Sequence, residues 1–337
     1  MADETGGNWN MQSLDSLPPI LFALKWLVVG LVLIVVVNSL MRTKRFRSKK
    51  KLPGRVIVIT GANSGIGYTT AVDLAKRKAR VILACRSKEK GEEAANKIRK
   101  LTKNDHVVFK QLDLASFASI TQFSRTLLTS ETRLDVLINN AGVMACPLWR
   151  SDDGYEMQFA VNYLGHFLLT HLLLNLLKKS EGKIINLTSY MYKMGQINFD
   201  DLNSEMSYDP WQAYYQSKLA VVLFTRELSR RLEDFEVTVN TVHPGMVATN
   251  HGRHSIFKLP GLRYLLSPII WTMWKSAGQA ATSVIYLVVS EKVETMSGLY
   301  FSNYKTQPLE ANAMDDGVAK KLWEKSLDLV GIQKSNL

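Results

Sequence analysis

The chain has 337 residues, of which 46% are hydrophobic and 21% charged, and this composition excludes a fibrous or intrinsically disordered protein. Two cysteines, Cys85 and Cys146, are too few for a disulfide framework. The formal net charge of +12 is concentrated, because residues 42–55 carry eight Lys and Arg residues and no acid. A charge confined to one short segment does not indicate a nucleic-acid-binding face, so we expect no nucleic-acid partner.

Near the N-terminus, residues 20–37 form an apolar run of 18 residues with a single charge, Lys25. As a helix this run would span about 27 Å, close to the hydrocarbon thickness of a bilayer. A cleaved signal peptide would begin with a positive region and end at a small-residue cleavage site, whereas here the acidic flank comes first and the basic flank follows. A buried core helix would leave the adjacent basic cluster unexplained. The pattern predicts a transmembrane signal anchor at residues 18–41.

The charge asymmetry around this segment also predicts its orientation. Positive charges remain on the cytosolic side of a membrane, so residues 42–53 are expected to form a basic cytosolic linker. Residues 1–17 then form a short luminal tail, and residues 54–337 form a cytosolic domain. The lipid bilayer is therefore a predicted partner of a single-pass membrane protein.

After residue 54, short apolar strands alternate with helices, and no linker interrupts the pattern. The predicted strands span residues 55–60, 80–85, 107–112, 135–139, 183–188, 237–242 and 298–301. The predicted helices span residues 68–78, 88–101, 116–130, 152–179, 211–232 and 276–290. This alternation predicts an α/β fold of one domain, a doubly wound parallel sheet (Rossmann-like) that follows an N-terminal transmembrane helix. Ligands of such a sheet bind at the carboxyl ends of its strands.

A glycine-rich turn follows the first predicted strand and opens the next helix, with the sequence TGANSGIG over residues 60–67. Glycines allow the backbone to approach a pyrophosphate, and a helix N-terminus offers free N–H groups. An ordinary turn between strand and helix is the alternative, but the position favours a dinucleotide site. The predicted cofactor contacts in this turn are Gly61, Asn63, Ser64, Gly65, Ile66 and Gly67.

The ends of the next strands extend this predicted site. The second strand ends at Cys85 and Arg86, without the acid that binds the ribose of NAD. A guanidinium suits the 2′-phosphate of NADP, so we expect NADP(H) as the cofactor, unless Arg86 is simply a surface residue. Asp113 and Leu114 follow the third strand, in position to contact the adenine. Small residues after the fourth strand would let the cofactor cross the sheet edge, namely Asn140, Ala141 and Gly142.

Four polar residues form a candidate catalytic group. Tyr214 and Lys218 are four residues apart in a predicted helix and share one face. A phenol can give a proton to a carbonyl oxygen during hydride reduction, its phenolate can remove that proton in reverse, and a nearby ammonium favours the phenolate. Ser189 ends the fifth strand, where it could bind the substrate oxygen, and Asn162 could hold a water linked to Lys218. Each residue taken singly also fits a capping or core role.

Taken in order, these motifs resemble the short-chain dehydrogenase/reductase superfamily over about residues 54–305, so residues 54–337 are interpreted as a domain of this type. The resemblance implies a catalytic tetrad of Asn162, Ser189, Tyr214 and Lys218, of which the last two also contact the cofactor. It further implies that the nicotinamide is flanked by Pro244, Gly245, Val247 and Thr249. No metal is needed by this chemistry.

A narrower resemblance rests on Ala84-Cys85-Arg86, residues 139–147 (NNAGVMACP) and residues 162–169 (NYLGHFLL), which are similar to the membrane-anchored retinol dehydrogenases. It implies an NADP(H)-dependent enzyme of the endoplasmic reticulum membrane that acts on retinoids and other lipid aldehydes, and most simply interconverts retinol and retinal. In a cytosol rich in NADPH we expect net reduction. A homodimer is compatible with this interpretation. One departure is the aromatic-rich segment 208–215 (YDPWQAYY), which leaves the substrate open.

The predicted substrate flap, at about residues 250–275, is rich in Leu, Ile and Trp. It could line an apolar pocket for a hydrophobic small molecule, dip into the membrane, or pack as ordinary core helices. Two other functions also fit the sequence. One is reduction of another lipid carbonyl (a sterol, polyprenoid or peroxidation aldehyde), and the other is non-catalytic NADP(H) binding in a membrane. The tetrad argues against the second, because a protein that only binds the cofactor needs no proton donor.

Overall fold

In the computed structural model, residues 21–30, 32, 46–245 and 276–333 are described. An eight-stranded sheet forms the centre of this part of the chain. Its strands are β1 Val56–Thr60, β2 Arg80–Cys85, β3 Val107–Gln111, β4 Val136–Asn139, β5 Lys183–Leu187, β6 Thr238–His243, β7 Tyr300–Ser302 and β8 Lys305–Thr306. The spatial order is β3-β2-β1-β4-β5-β6-β7-β8, parallel throughout except for the antiparallel pair β7–β8. The order reverses between β1 and β4, where such sheets bind their ligands.

Helices cover both faces of the sheet, as the predicted doubly wound fold requires. The helices are α1 Leu21–Gly30, α2 Gly65–Lys76, α3 Lys88–Thr102, α4 Phe117–Ser130, α5 Met157–Lys179, α6 Pro210–Arg231, α7 Ala277–Val289 and α8 Asp316–Leu329. One apolar core lies between the sheet and helices α2, α3 and α7. The other lies between the sheet and helices α4, α5, α6 and α8. The Rossmann-like α/β fold is therefore confirmed.

The described elements add two features that the sequence pattern did not predict. The short strand β8 extends the sheet edge, and the C-terminal helix α8 packs on α5 and α6. The helix predicted from residue 152 begins at Met157, because Arg150 and Glu156 pair in an isolated bridge before it. The Glu156 side chain then caps the helix by accepting the backbone N–H groups of Gln158 and Phe159.

The predicted membrane anchor lies largely outside the described residues. Within 18–41, the structure describes residues 21–30 and 32, which are helical and exposed. Among all described residues, α5 is the helix long and apolar enough to span a bilayer, but most of it is buried and it serves as a core helix. The predicted flap at 250–275 also lies outside the described residues.

The last part of the predicted basic linker packs against the domain. The Phe46 ring lies edge-on to Tyr286 of α7, with ring centroids 4.9 Å apart. Arg77, after α2, donates from Nη1 to the carbonyl oxygen of Lys50 at 2.8 Å. Leu52 is buried in the core beside α2. Residues 46–52 are therefore fixed on the domain surface rather than extending freely from it.

Candidate active site

The turn after β1 depends on its glycines, as two of them show. Gly61 has a φ of +65°, a backbone conformation that residues with a Cβ rarely adopt. A Cβ at Gly67 would lie 2.6 Å from Nδ2 of Asn140 and 2.7 Å from the Gly61 carbonyl oxygen. Asn63, in the same turn, precedes the N-terminus of α2, whose free N–H groups suit a phosphate.

The turn after β4 lies directly beside the glycine-rich turn. Asn140 donates from Nδ2 to the carbonyl oxygen of Thr60 at 2.7 Å, which ties the ends of β4 and β1 together. A Cβ at Gly142 would lie 3.0 Å from Oδ1 of Asn162 and 3.5 Å from Nζ of Lys218. The glycines let the two turns pack closely against each other at the strand ends, which is the sheet edge where a dinucleotide would lie.

The predicted adenosine contacts lie at the ends of β2 and β3. Arg86 is 74% exposed, and its Nε is 3.9 Å from Oδ2 of Asp113. Asp113 in turn accepts the backbone N–H of Ala115. The Leu114 side chain is buried in the core, so its contact with a cofactor would involve its backbone.

Helix α6 and the end of β5 bring three predicted catalytic residues together. Tyr214 and Lys218 are 8% and 7% exposed. Lys218 donates from Nζ to the carbonyl oxygen of Leu187 at 3.3 Å, and Nζ lies 5.8 Å from the centroid of the Tyr214 ring. The Ser189 hydroxyl is hydrogen-bonded to the Tyr214 phenol. The predicted hydroxyl, phenol and ammonium groups therefore form one cluster.

Asn162 lies in a π turn, Ala160–Leu164, within α5, a local distortion that is frequent at functional sites. Its Oδ1 accepts the backbone N–H of Val143 at 2.8 Å, and its Nδ2 donates to the Val143 carbonyl oxygen and to Ser217 Oγ, both at 2.9 Å. The amide thus joins the segment after β4 to α6. Its predicted role in holding a water remains a prediction.

Burial shifts the pKa values of the central pair in opposite directions. Burial raises the pKa of Tyr214 to about 12, against the effect of the hydrogen bond with Ser189, which lowers this pKa. Burial lowers the pKa of Lys218 to about 8. The phenol is therefore protonated at neutral pH and the lysine is still mostly charged, so the cluster can act as a proton donor.

The end of β6 completes the described part of the site. Pro244 and Gly245 follow this strand, and Gly245 has a φ of +96°. β6 is the neighbour of β5, whose end carries Ser189. The other two predicted nicotinamide contacts, Val247 and Thr249, lie outside the described residues.

Four polar residues near the site, of which Tyr208 is half-buried and the others are buried, were not assigned a role from the sequence. Gln158 donates from Nε2 to the hydroxyl oxygen of Tyr208, which donates to the carbonyl oxygen of Cys146 at 2.6 Å. Tyr208 belongs to the aromatic-rich segment, so this segment supports the loop after β4. Thr60 and His166 form a second group below the cofactor turns. These residues lie close in sequence to the recognised motifs, which was a sign that they belong to the site. The contacts between them, however, could not be predicted from the sequence.

The sequence profile of the short chain dehydrogenases matches residues 55–256, which contain both glycine turns and the Tyr214 cluster. The chain belongs to the short-chain dehydrogenase family. Members of this family bind a nicotinamide dinucleotide, and the sheet edge described above is where such a cofactor would lie.

Curated relatives narrow the comparison to the retinol dehydrogenases. This short-chain dehydrogenase is 50% identical to retinol dehydrogenase 13 of Homo sapiens over 85% of its own length and 87% of the relative. It is 46% identical to retinol dehydrogenase 14 of Homo sapiens, over 87% and 91% of the two chains. The protein is therefore an oxidoreductase of the alcohol dehydrogenase type, and the predicted resemblance to retinol dehydrogenases is confirmed.

Solved structures agree on the fold. A protein from Mycobacterium paratuberculosis is 35% identical, with a TM-score of 0.68 over 84% of this chain and 96% of that chain. A short-chain dehydrogenase from Shigella flexneri, solved in complex with NADP, is 23% identical, with a TM-score of 0.61 over 77% and 100% of the two chains. The second likeness concerns the fold alone.

Proposed function

We propose that this short-chain dehydrogenase is an NADP(H)-dependent, membrane-anchored enzyme that interconverts retinol and retinal and acts mainly as a retinal reductase. The observation that carries the proposal is the buried cluster of Tyr214, Ser189 and Lys218 beside the two backbone turns. The names of the curated relatives support a retinoid as the substrate.

When bound, the nicotinamide cofactor would supply the hydride for the carbonyl carbon and would itself be oxidised. Tyr214 donates its phenolic proton to the carbonyl oxygen, so the C=O bond becomes an alcohol. Ser189 hydrogen-bonds the same oxygen and holds it beside the phenol. The Lys218 ammonium stabilises the phenolate that remains, and Asn162 holds the turn after β4 against α6. In the reverse direction the phenolate removes the alcohol proton.

The main direction is proposed as reduction because a cytosol rich in NADPH favours it, and the protonation state of the buried cluster suits the proton donation that reduction needs. The pKa of Tyr214 is raised by burial to about 12, so the acid form that reduction needs is the form present at neutral pH. Oxidation needs the phenolate, which is rare under these conditions. The cluster is therefore prepared to give a proton rather than to take one.

The preference for NADP(H) is proposed from the end of β2. Arg86 is largely exposed at this strand end, where a guanidinium can bind a 2′-phosphate through two hydrogen bonds. Asp113 is the nearby acid, and it lies on the next strand with its carboxylate 3.9 Å from Arg86. An arginine at this position favours the phosphorylated ribose.

The membrane location is proposed from the N-terminal segment. Residues 18–41 would anchor the protein in the endoplasmic reticulum membrane with the catalytic domain in the cytosol. Because residues 46–52 pack on the domain, the catalytic domain would be held close to the bilayer. A hydrophobic carbonyl dissolved in that bilayer would then be near the site.

The test is NADPH oxidation by the full-length protein in detergent, with all-trans-retinal, a short aliphatic aldehyde and a steroid ketone offered separately. Turnover of retinal, with NADH at least about tenfold less effective than NADPH, is expected from a bidentate phosphate contact. Turnover of the steroid ketone alone would remove the retinoid assignment. Binding of NADPH without turnover of any carbonyl would contradict the enzymatic proposal.

A further inference from the structure

His166 is a buried residue beside the catalytic group that the reaction described above does not use. It lies in α5, one helical turn after Asn162, and is 4% exposed. Its Nδ1 is 3.1 Å from the carbonyl oxygen of Asn162. Its Nε2 is 2.9 Å from Oγ1 of Thr60, the last residue of β1 and the first residue of the glycine-rich segment 60–67. The ring therefore connects the π turn of α5 with the end of β1.

The distances favour one arrangement of protons, because the Thr60 hydroxyl oxygen lies 2.9 Å from Nε2 of His166 but 3.4 Å from its other possible acceptor, the carbonyl oxygen of Ile138. A carbonyl oxygen can only accept, so Nδ1 of His166 carries the proton and Nε2 accepts from the Thr60 hydroxyl. The Thr60 oxygen also accepts the backbone N–H groups of Asn140 and Ala141, each at 2.9 Å. A hydroxyl has one proton and two lone pairs, so this set of bonds satisfies Thr60 completely.

Burial and the nearby positive charge keep the imidazole ring neutral. Burial lowers the pKa of His166 to about 4, and the positive charge of Lys218 on α6 acts in the same direction. The other groups at the ring nitrogens, Asn162 on α5 and Thr60 on β1, are uncharged. The tautomer with the proton on Nδ1 is thus the form present at neutral pH.

We propose that His166 is a positioning residue that fixes the distance between the catalytic turn at Asn162 and the cofactor turn at residues 140–142, acting through Thr60. The ring touches neither the Tyr214 phenol nor the surface offered to the cofactor. Its effect is to hold the Asn162 backbone at a constant distance from the sheet. The Asn162 side-chain amide, which joins residue 143 to α6, is then held in place as well. The inference rests on the proposed oxidoreductase site but not on the identity of the carbonyl substrate.

The kinetic test compares single and double variants of the full-length protein, using whichever carbonyl it reduces. We expect His166→Phe to lower kcat by about tenfold or more, while the Kd for NADPH changes by less than about threefold, because misplacement of catalytic groups affects turnover more than binding. Thr60→Val should lower kcat similarly. If the two residues act as one unit, the double variant should be no slower than the slower single variant. Effects that multiply would overturn the proposal.

His171 provides a matched control. It lies on the same helix, and burial also lowers its pKa to about 4, but its ring contacts Phe167 and Trp323 rather than the site. His171→Gln should therefore keep kcat within about twofold of the unmodified protein, whatever it does to stability. An equal loss of kcat in both histidine variants would indicate a general effect of the helix and would contradict a specific role for His166.

A spectroscopic measurement tests the proposal even if the variants fold poorly. The chain has six histidines, so nitrogen-15 labelling of histidine gives a simple spectrum, in which the His166 ring is assigned through its own backbone signals in the unmodified protein. We expect a neutral ring with its proton on Nδ1 and no titration between about pH 6 and pH 8. A ring that titrates near pH 6.5, or carries its proton on Nε2, would break the connection to Asn162 and overturn the proposal. This result does not depend on whether the enzyme accepts retinal.

Discussion

At the scale of single residues, the central cluster owes its chemistry to burial. Tyr214 and Lys218 lie on one face of α6 and are almost fully removed from solvent. Burial disfavours the charged form of each group, which raises the phenol pKa to about 12 and lowers the ammonium pKa to about 8. The proton donor of the proposed reaction is therefore ready at neutral pH, and the lysine loses its charge only in mild alkali.

These pKa values predict different pH profiles for the two directions. Reduction uses the protonated phenol, so its rate should be nearly constant from about pH 6 to pH 8, well below the pKa of Tyr214. Oxidation uses the phenolate, so its rate should rise with pH and level off where Lys218 loses its charge, near pH 8. Initial rates in both directions, in one buffer series with saturating cofactor, check this. A reduction rate that falls steadily from pH 6 to pH 8 would exclude Tyr214 as the donor.

The cofactor preference can be tested at Arg86. Arg86→Asp replaces a phosphate-binding cation with an acid that suits an unmodified ribose. We expect the KM for NADPH to rise by about tenfold or more, and activity with NADH to improve, since a charge-assisted bidentate contact is lost. Lys90→Asp, an exposed charge reversal on the neighbouring helix α3, serves as the control and should leave both values unchanged. Equal effects of the two changes would mean that only the general charge of this face matters.

The sequence allowed the motif residues to be predicted because each follows a strand or lies at helical spacing from its partner. Tyr214 and Lys218 are close in sequence, and Ser189 ends a strand, so their meeting follows from the fold. The partners of His166 could not be predicted in this way. Thr60 is more than a hundred residues away along the chain, and only the packing of α5 on the sheet brings the two side chains together.

At the scale of elements, the C-terminal helix α8 is the main feature that strand and helix alternation did not predict. The Asp315 side chain caps it by accepting the Val318 N–H, and Trp323 is 1% exposed. The Trp323 ring lies 5.0 Å from Phe167 of α5 and 5.9 Å from Phe224 of α6, centroid to centroid. The apolar face of α8 finds a packing partner only where α5 and α6 already lie side by side. The order of strands and helices along the chain therefore did not predict this helix.

This packing predicts a large effect for one substitution. Trp323→Ala should lower the free energy of unfolding by about 3–5 kcal/mol, because it leaves a cavity between three helices. For a domain of this size, a loss of that order lowers Tm by roughly 10 °C. Thermal unfolding followed by circular dichroism measures the shift, with the exposed Met314→Ala as the control. A change of less than about 2 °C would show that α8 contributes little to the stability of the domain.

At the scale of the whole molecule, the parallel sheet was predictable because each of the strands β1 to β6 is followed by a helix that must return over a face of the sheet. The carboxyl ends of its strands, on either side of the reversal between β1 and β4, carry those predicted cofactor and catalytic residues that the structure describes. The two-residue strand β8 was not predictable, since so short a segment carries no periodicity. The role of residues 250–275 as a flap remains a prediction.

Buried neutral histidines make the stability of the folded chain depend on pH. The pKa values of His166 and His171 are lowered to about 4, below the value near 6.5 of an unfolded chain. The free energy of unfolding should therefore have its full value above about pH 6.5 and should fall as the pH drops toward 4. We expect a contribution of about 3 kcal/mol from His166 and a smaller one from the more exposed His171. Tm measured across this range checks the expectation. His171→Gln should reduce the slope, and an identical slope would rule out its contribution.

The central claim is that hydride transfer to a carbonyl occurs at this site with Tyr214 as the proton donor. The most direct measurement uses the full-length protein, all-trans-retinal and NADPH deuterated at either face of the nicotinamide, with mass spectrometry of the product. We expect retinol that carries one deuterium from one of the two deuterated cofactors. We also expect no product from Tyr214→Phe, although this variant should bind NADPH with a Kd within about threefold of the unmodified protein, because the lost hydroxyl serves the chemical step. Retinol formed by Tyr214→Phe at the unmodified rate, or NADPH bound by the unmodified protein without deuterium reaching any product, would contradict the account.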